Sequence, residues 1–410
     1  MSDSDGGTQP VRALAAIADP DAFLAAMSDL AAPQTRYAAM IEGGGFLQPT
    51  EGMALSFDRA MTEHVLRHHE LFSSRVDLNL GNVRPLIPLN VDPPNHSKYR
   101  KLLDPLFAPR RMDEREKDIT ERVNGFIDGF IDNGECNFSE EFAELFPSSV
   151  FLGMMGLPEE DLRMFLGMRD GILHAEKIDP NALVDFGARA AVLERTGQEI
   201  YDYFGGLVDD RRQSPTDDVI SMFLAAEVDG ERLTREDILD ICFLFLIAGL
   251  DTVSDSLTCM YAFLATHPDH RQQIARDPSL IPNAVEELMR WESPVAFGVP
   301  RVATEDTTMP NGEMVTKGTA VVVSYGAANI DQKQCPDSFD VRFDRDVNRH
   351  IAFGAGVHRC LGSHLARREL RITLAEWHRR IPDYWIKPGH EELEYPPGLR
   401  HVKDLTLAWK

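Results

Sequence analysis

Residues with the chemistry of a reactive metal ligand are concentrated around Cys360. The segment from 353 to 362 reads Phe-Gly-Ala-Gly-Val-His-Arg-Cys-Leu-Gly. A cysteine in such a loop can act as a thiolate, because backbone N–H groups and the positive end of a following helix favour the charged sulfur. Apolar residues at helical spacing after Leu361 predict that this helix follows directly. Three glycines permit turns and close approaches that side chains would block: Gly354, Gly356 and Gly362.

A second constellation, Ala248-Gly249-Leu250-Asp251-Thr252, lies within an apolar stretch predicted as one helix over 234–266. The stretch begins with a good capping sequence, whereas Gly249 and Thr252 are poor helix formers in its interior. A hydroxyl next to a carboxylate suits a proton relay through ordered water. Taken alone, the same residues also fit close helix packing at the glycine and a solvated corner at the acid–alcohol pair.

These segments resemble the signatures of the cytochrome P450 family, F-x-x-G-x-H-x-C-x-G for the cysteine loop and A-G-x-[DE]-T for the central helix. The resemblance implies a haem b cofactor with Cys360 as axial thiolate ligand, which favours O–O cleavage. It further implies that Asp251 and Thr252 deliver protons and that Ala248 and Gly249 make room for O2. The implied fold is mainly α-helical with small β-sheets (α+β), with haem between the central helix and the cysteine-loop helix.

The resemblance also indicates which residues bind haem. Two buried propionates need cationic partners, and Arg and His supply them well. Asp92 to Arg100 matches D-P-P-x-H-x-x-x-R, in which His96 and Arg100 share one helix face. The alternative for each cation is a charged surface residue. The other residues expected at the haem are Arg301, His358, Phe353, Gly354 and Gly362, and His350 is left open as a further propionate partner.

Glu287 and Arg290 match the family's E-x-x-R. Residues three apart on a helix can form an ion pair, and the resemblance implies a structural role, completed by Arg342 or Arg345. The segment Ala-Asn-Ile-Asp at 328–331 departs from the family's A-N-R-D, since Ile330 replaces a polar residue. We expect this departure to affect the fold rather than the chemistry.

By resemblance, apolar side chains from several segments should line the substrate pocket. An apolar pocket with few polar anchors suits a hydrophobic small molecule such as a terpene, sterol, fatty acid or aromatic compound. Any single one of these residues is equally explained as core. The predicted residues are Leu86, Ile87, Leu244, Val295, Phe297, Val299 and Leu399; His174, Lys177 and Arg400 are candidates to meet a substrate carboxylate.

The composition limits which partners the protein is expected to bind and in which compartment it is expected to occur. The net charge of −24, from 42 basic and 66 acidic residues, argues against nucleic acid and anionic membranes as partners. The 5 cysteines show no disulfide or zinc spacing, and the acidic N-terminus lacks a signal peptide. The run Ile241 to Leu250 is too short to span a bilayer. We therefore expect a cytoplasmic protein without a membrane anchor, forming one domain over 1–410, with residues 1–20 weakly ordered.

The sequence thus predicts a monooxygenase that inserts one atom of O2 into a hydrophobic substrate. Electrons would come from NAD(P)H through a separate ferredoxin or flavodoxin-type partner. Two alternatives remain open: a haem-thiolate enzyme of another class, such as a peroxygenase or a nitrogen-oxide reductase, and a non-enzymatic haem sensor or carrier. The intact acid–alcohol pair weighs against both. The surface of this chain that binds the redox partner would carry Lys98, Lys101, Arg110, Arg111, Arg359 and Arg367.

Overall fold

The computed structural model describes residues 32–76, 78–228, 230–396 and 398–410. The expectation of weak order over 1–20 lies outside these residues. The chain divides into two compact units by its internal contacts. The first unit comprises 1–73, 282–359 and 391–403, and the second comprises 74–281, 360–390 and 404–410. The expectation of a single domain stays a prediction.

The first unit is built on a five-stranded sheet. Its central strand, Ala320–Val323, pairs in parallel with Met53–Ser56 and antiparallel with Arg301–Ala303. The run Ala-Val-Val-Val suits a strand because β-branched side chains pack well on a pleated surface, and Val321 and Val323 are fully buried. The remaining strands of this unit are Phe46–Thr50 and Phe72–Ser73 in the same sheet, and the separate pair Thr307–Thr308 and Met314–Val315.

Within the described residues, four helices belong to the same unit as this sheet. The helix Arg59–Arg67 begins at Asp58, whose carboxylate accepts hydrogen bonds from the backbone of Ala60 and Met61, and such a cap satisfies otherwise unpaired N–H groups. The other helices are Pro33–Glu42, Ile281–Glu292 and Tyr325–Ile330, and a 3-10 turn lies at Gly356–His358. Ile281, the first residue of its helix, is counted with the second unit.

The second unit is mainly helical, as predicted. Its longest apolar stretch forms two helices, Arg235–Leu250 and Thr252–Thr266, which we call the central helix pair. Thr234 and Asp237 form a reciprocal capping box at its start, which confirms the predicted beginning. The predicted single helix is interrupted at Asp251, which is helical in neither segment. This break falls at the motif that the sequence analysis selected for proton relay.

The other elements of the second unit surround the central helix pair. The helix after the cysteine loop, Ser363–Arg380, has its Trp377 fully buried among aromatic rings. Its remaining helices are Asn95–Leu103, Pro109–Phe130, Leu145–Met155, Leu162–Leu173, Ala175–Ile178, Phe186–Gln213, Val219–Ala225 and Pro268–Arg276. Short 3-10 or π segments are Asp104–Phe107, Ile131–Asn133, Ser139–Ala143, Glu159–Asp161, Pro180–Leu183 and Pro278–Leu280.

The sheets of the second unit are small, as the mainly helical prediction requires. Thr406–Trp409 pairs with Tyr384–Ile386 on one side and Glu135–Asn137 on the other. A two-stranded sheet joins Glu227–Val228 to Glu231–Arg232. Among the residues described, no helix has both the length and the apolar character that crossing a membrane requires.

Candidate active site

The central helix pair is least buried at three of the four predicted catalytic residues. From 238 to 265 every residue is buried except Ala248, Gly249 and Thr252. Ala248 is exposed, although it lies between Ile247 and Leu250, which are both buried. A helix packed on all other sides therefore presents one surface patch, and this patch consists of three motif residues.

Gly249 has a packing role of its own. A Cβ atom at this position would lie 2.9 Å from Cδ2 of Phe151, on the helix Leu145–Met155. Real side chains do not approach this closely, so any larger residue would force Phe151 to move. The packing alternative therefore accounts for the glycine. The expected role of Ala248 and Gly249 in making room for O2 stays a prediction.

Asp251 is the centre of a buried ion network. Its Oδ2 lies 2.7 Å from Nε2 of His174, and its Oδ1 lies 3.2 Å from Nη1 of Arg169. Burial opposes ionisation of this carboxyl. The hydrogen bond from His174 and the charge of Arg169 nevertheless hold the pKa of Asp251 below its ordinary value. Asp251 is therefore kept as a carboxylate, with one oxygen contacting Arg169 and the other contacting His174.

Arg169 is the member of this network that the sequence analysis missed. It lies on the helix Leu162–Leu173, is 2 % exposed, and bonds Glu144 and Asp170 as well as Asp251. The signal was an arginine in the otherwise apolar run Met-Phe-Leu-Gly-Met-Arg, since arginine is seldom fully buried unless it is paired. The sequence did not indicate which acid it pairs with.

Two further polar residues lie next to Asp251 along the helix. Oγ1 of Thr252 donates to the carbonyl oxygen of Ala248 at 3.1 Å. Asp255 is buried one turn later, and its backbone N–H donates to the carbonyl of Asp251 at 2.8 Å. Burial raises the pKa of Asp255 well above its ordinary value, and the charge of Asp251 raises it further. The two acids therefore favour opposite protonation states.

Cys360 differs from the other cysteines in its environment. Its side chain is exposed, whereas Cys136, Cys242 and Cys259 are buried and Cys335 is intermediate. Burial raises the pKa of the Cys136 and Cys242 thiols, which makes them poor thiolate ligands. Cys360 lies three residues before the helix Ser363–Arg380, where the helix dipole favours a negative charge. A Cβ on the neighbouring Gly362 would have no atom within 4 Å.

The loop that precedes Cys360 belongs to the first unit, and its shape depends on glycine. Gly354 and Gly356 have φ values of +68° and +70°, in the region that favours glycine. A Cβ on Gly356 would lie 2.1 Å from the carbonyl oxygen of Leu66. The loop is therefore packed backbone-to-backbone against the end of the helix Arg59–Arg67. Phe353, predicted at the haem, lies in the same loop and has its ring 5.8 Å from that of His350.

The predicted propionate partners have different surroundings. In the second unit, His96 is 2 % exposed on the helix Asn95–Leu103, and Nε of Arg100 donates to Oδ1 of Asp104 at 2.7 Å. In the first unit, Arg301 is buried and donates to the carbonyls of Val299 and Pro300, and His358 ends the 3-10 turn. The open alternative, His350, is held by Glu286, with 3.0 Å from Nε2 to Oε2.

The E-x-x-R pair is a buried structural network in the first unit. Arg290 and Glu287 are each 1 % exposed and form a two-pronged ion pair, with both N···O distances 2.8 Å. Nε of Arg345 and the backbone N–H of Arg342 also donate to Oε1 of Glu287, each at 2.9 Å. Burial opposes its ionisation, but these bonds hold the pKa of Glu287 below its ordinary value. Of the two arginines considered for completing the Glu287–Arg290 network, Arg345 contacts Glu287 with its side chain, whereas the guanidinium of Arg342 bonds Asp344.

The segment that carries Ile330 belongs to the same part of the first unit. Ile330 is 2 % exposed and packs with Tyr37, Leu55 and Phe57. Its neighbour Asn329 donates from Nδ2 to Oγ of Ser293 at 2.9 Å and accepts from the backbone of Ile351 at 2.7 Å. The departure from the family pattern is thus accommodated in an apolar core, as expected for a residue that affects the fold.

The predicted substrate residues fall into two groups. In the second unit, Leu86, Ile87 and Leu244 are buried and belong to one apolar cluster. In the first unit, Val295, Phe297 and Val299 are half-buried, and Val295 and Phe297 pack against two different apolar clusters. The backbone of Arg400 donates to the carbonyl of Pro294 at 2.8 Å, which joins the half-buried Leu399 to this segment.

The three candidates for a substrate carboxylate are already paired. His174 contacts Asp251, and Nζ of Lys177 lies 3.3 Å from Oδ1 of Asp170. Arg400 lies 2.7 Å from Oε2 of Glu292, and both residues of this pair are buried.

The residues present fit a haem with a thiolate ligand. The second unit has an exposed thiol before a helix N-terminus and an otherwise buried helix that is open at three motif residues. Buried cationic or imidazole side chains suited to propionates occur in both units, at His96 and Arg301. When bound, haem supplies the redox chemistry that activates O2.

Comparisons with known proteins agree with this geometry. The family model for cytochrome P450 matches residues 46–380. Probable cytochrome P450 127A1 of Sinorhizobium fredii is 35% identical over 353 residues, covering 85% of this chain and 80% of that protein. A steroid C26-monooxygenase of Mycobacterium tuberculosis is 34% identical, covering 81% of this chain and 87% of that protein.

Solved structures give the same result for the fold. The crystal structure of CYP109E1 from Bacillus megaterium in complex with corticosterone superposes with a TM-score of 0.82 at 28% identity. The match covers 92% of this chain and 98% of that one. Because the family model matches residues 46–380 and these relatives are more than 30% identical over most of their length, the chain belongs to the cytochrome P450 family and is a haem-dependent monooxygenase.

Proposed function

We propose that this monooxygenase inserts one oxygen atom into a hydrophobic small molecule of sterol or steroid type, using haem b with Cys360 as its axial ligand. The observation that carries the proposal is the opening of the central helix pair at Ala248, Gly249 and Thr252 alone between 238 and 265. A patch restricted to the relay motif is what a helix crossing a cofactor and its O2 site needs.

We assign each site residue a role according to its position. Asp251, held as a carboxylate by Arg169 and His174, can pass protons to the neighbouring hydroxyl of Thr252 or to an ordered water. His96 and Arg301 neutralise the propionates, together with Arg100 and His358. Phe353, Gly354 and Gly362 shape the loop that presents the sulfur of Cys360.

The substrate class is supported by the apolar residues and by the relatives. Val295, Phe297 and Val299 are half-buried apolar residues of the first unit, and Leu86, Ile87 and Leu244 form part of an apolar cluster in the second. Side chains of this kind bind a ligand through apolar area rather than through charge. The steroid C26-monooxygenase and the corticosterone complex make steroids the first compounds to test.

Electrons reach the enzyme from NAD(P)H through a ferredoxin or flavodoxin-type protein. Arg110 and Arg111, at the start of the helix Pro109–Phe130, are exposed and share Glu114 at 3.8 and 3.1 Å. In a chain of net charge −24, these two exposed arginines, with Lys101 and Arg367 as further predicted members, supply positive charge that can attract an acidic partner. Lys98 belongs to this set but already bonds Glu231.

The test is a titration of the ferric protein with steroids, fatty acids, terpenes and small aromatics, followed by turnover assays. We expect steroids to shift the haem from low to high spin and to be hydroxylated with NAD(P)H, ferredoxin and ferredoxin reductase. A spin shift by another class only would overturn the substrate assignment. Turnover with hydrogen peroxide but not with reduced ferredoxin would favour a peroxygenase instead.

A further inference from the structure

The two side chains that contact the carboxylate of Asp251, among the residues described, differ in one chemical property. The guanidinium of Arg169 stays protonated throughout the accessible pH range, so it can hold the carboxylate but cannot supply a proton. His174 carries an imidazole, the side chain that exchanges protons between pH 5 and 8. A relay that starts at a buried acid needs such a partner, because each turnover removes the protons that the acid passes on.

His174 also connects Asp251 to the surface. A carboxylate oxygen only accepts hydrogen bonds, so Nε2 of His174 carries the hydrogen in its 2.7 Å contact with Oδ2. The side chain of His174 is 19% exposed, against 5% for Asp251. Its other ring nitrogen, Nδ1, lies 3.9 Å from Oε1 of Glu176, on the short helix Ala175–Ile178. One ring edge therefore contacts the buried acid and the other lies toward an exposed segment.

Charged groups around the imidazole keep this arrangement in place. Arg169 bonds Asp170 and Glu144 and fixes Oδ1 of Asp251, which leaves Oδ2 for His174. Lys177 lies 3.3 Å from Asp170. Asp255, behind Asp251, is disfavoured as a second anion by burial and by the charge of Asp251. The ring of His174 thus lies between Glu176 outside and Asp251 inside.

We propose that His174 supplies protons to Asp251 and so is the positioning residue through which solvent protons enter the reaction. The inference rests on the proposed function, in which Asp251 and Thr252 deliver protons. Solvent protonates Nδ1 and produces the imidazolium. The Nε2–H bond then breaks as an O–H bond forms on Oδ2, leaving a neutral ring with its hydrogen on Nδ1. After Asp251 has passed its proton on, the ring returns to its starting tautomer by releasing the Nδ1 hydrogen to solvent and taking a hydrogen from water on Nε2, so that each cycle moves one proton inward.

Two substitutions at one position separate proton supply from hydrogen bonding. Glutamine in His174→Gln can still donate to Asp251 but cannot exchange a proton near neutral pH, whereas His174→Ala removes both properties. His270→Gln, on the helix Pro268–Arg276, is the matched control, because His270 has no contact with Asp251 in the described structure. Each protein is first checked for the ferrous–CO spectrum and for substrate affinity.

In turnover with NAD(P)H, ferredoxin and substrate, we expect His174→Gln to lower the rate of product formation by about 10- to 100-fold, the lower end of what proton transfer contributes. Its rate should depend less on pH than the wild-type rate does, and its solvent isotope effect should rise. Substrate affinity should stay unchanged, as should every property of His270→Gln.

A second readout does not depend on turnover. Infrared difference spectra against Asp251→Asn follow protonation of the Asp251 carboxyl with pH. His174→Ala should raise the pKa of Asp251, because the hydrogen bond that lowers it is gone, whereas His174→Gln should preserve it. If His174→Gln had the wild-type rate and pH profile, His174 would be only a structural contact of Asp251, and the inference would be overturned. A wild-type protein without a thiolate-type ferrous–CO spectrum would instead overturn the proposed function, and the inference with it.

Discussion

Thr252 is the less buried member of the acid–alcohol pair. Its hydroxyl hydrogen is donated to the carbonyl of Ala248 at 3.1 Å, so the oxygen lone pairs remain to accept a hydrogen bond from a ligand or water. The residue is half-buried, whereas Asp251 beside it is 3 % exposed. A proton from Asp251 therefore has a polar acceptor next to it along the chain.

We predict that Thr252→Ala uncouples electron consumption from product formation. Without the hydroxyl, the protons that O2 cleavage needs arrive less well oriented, and we expect reduced oxygen to leave as hydrogen peroxide. The measurement is product and peroxide formed per NAD(P)H. Thr252→Ser should restore coupling. Ser254→Ala is the control, because Ser254 makes a similar bond, to the carbonyl of Leu250 at 3.0 Å, but is buried. Unchanged coupling in Thr252→Ala would mean that protons travel through other groups.

Single residues were predictable where a local motif defines them. Cys360, Asp251 and Thr252 could be read from the sequence because loop and helix chemistry depends on near neighbours in the chain. The partners Arg169 and His174 could not be assigned to Asp251, since 82 and 77 residues separate them from it and only tertiary packing brings them together. His174 was one of three candidates to meet a substrate carboxylate, and in the structure it contacts Asp251.

At the scale of elements, a pair of glycines joins the loop before Leu86 to the helix Phe186–Gln213. A Cβ on Gly197 would lie 2.2 Å from the carbonyl oxygen of Gly81, and a Cβ on Gly81 would lie 2.2 Å from that of Leu193. Arg84 clamps the same loop to the central helix pair through Asp240, with N···O distances of 2.9 and 3.0 Å. The loop that carries two predicted substrate residues is thus held by backbone contact and by one ion pair.

We predict that Gly197→Ala loosens this loop and weakens substrate binding. The methyl group would overlap the Gly81 carbonyl, so loop and helix must separate; we expect a loss of stability of about 1–3 kcal/mol, as for overpacked sites, together with a raised dissociation constant for substrate.

Gly206→Ala on the same helix is the matched control for this prediction. Its Cβ would have no atom within 4 Å, so the better helix propensity of alanine should stabilise the protein by about 0.5–1 kcal/mol. Urea unfolding and spin-shift titrations measure both effects. Equal behaviour of the two variants would contradict the close backbone contact.

The sequence analysis singled out the motif at which the central helix pair breaks, but it predicted one continuous helix there. Capping residues predicted the start at Thr234, and apolar spacing predicted the helix. Periodicity extends through Asp251 without interruption, so it could not show that backbone helicity stops there. Gly249 and Thr252, on either side of the break, are poor helix formers, and Asp251 itself keeps right-handed helical torsions, with φ −99° and ψ −42°.

At the scale of the whole molecule, the mainly helical fold with small sheets followed from composition, periodicity and the family resemblance. The division into two units by internal contacts did not, because residues 282–359 join 1–73 across more than 200 intervening residues, and no local signal encodes that pairing. The aromatic core around Trp377 was also not predicted, since its members come from five separate segments.

We predict that this aromatic core makes stability depend on pH. Burial lowers the pKa of His378 to about 4, from an ordinary value of 6.5. At high pH both states are neutral and its contribution is complete. As pH falls from about 6.5 to 4, His378 becomes protonated in the unfolded chain but stays neutral in the folded one. The free energy of unfolding therefore decreases, by up to about 3 kcal/mol.

Urea unfolding at several pH values tests this dependence in wild type and in His378→Gln. The variant keeps a donor toward the Leu374 carbonyl, 2.7 Å from Nδ1 in the wild type, but has no titrating ring. It should therefore lose less stability on acidification than the wild type. His390→Gln, an exposed histidine, should follow the wild-type profile. Parallel profiles for His378→Gln and the wild type would contradict the assignment.

The most direct test of the central claim is the ferrous–CO absorption spectrum of Cys360→Ser beside that of the wild type. Thiolate ligation by Cys360 predicts the strongly red-shifted band for the wild type and its loss in the serine variant, because a serine hydroxyl is not ionised at neutral pH. Cys335→Ser, at the other cysteine that is not buried, should keep the wild-type spectrum. A Cys360→Ser protein that retains haem and the red-shifted band would contradict the account.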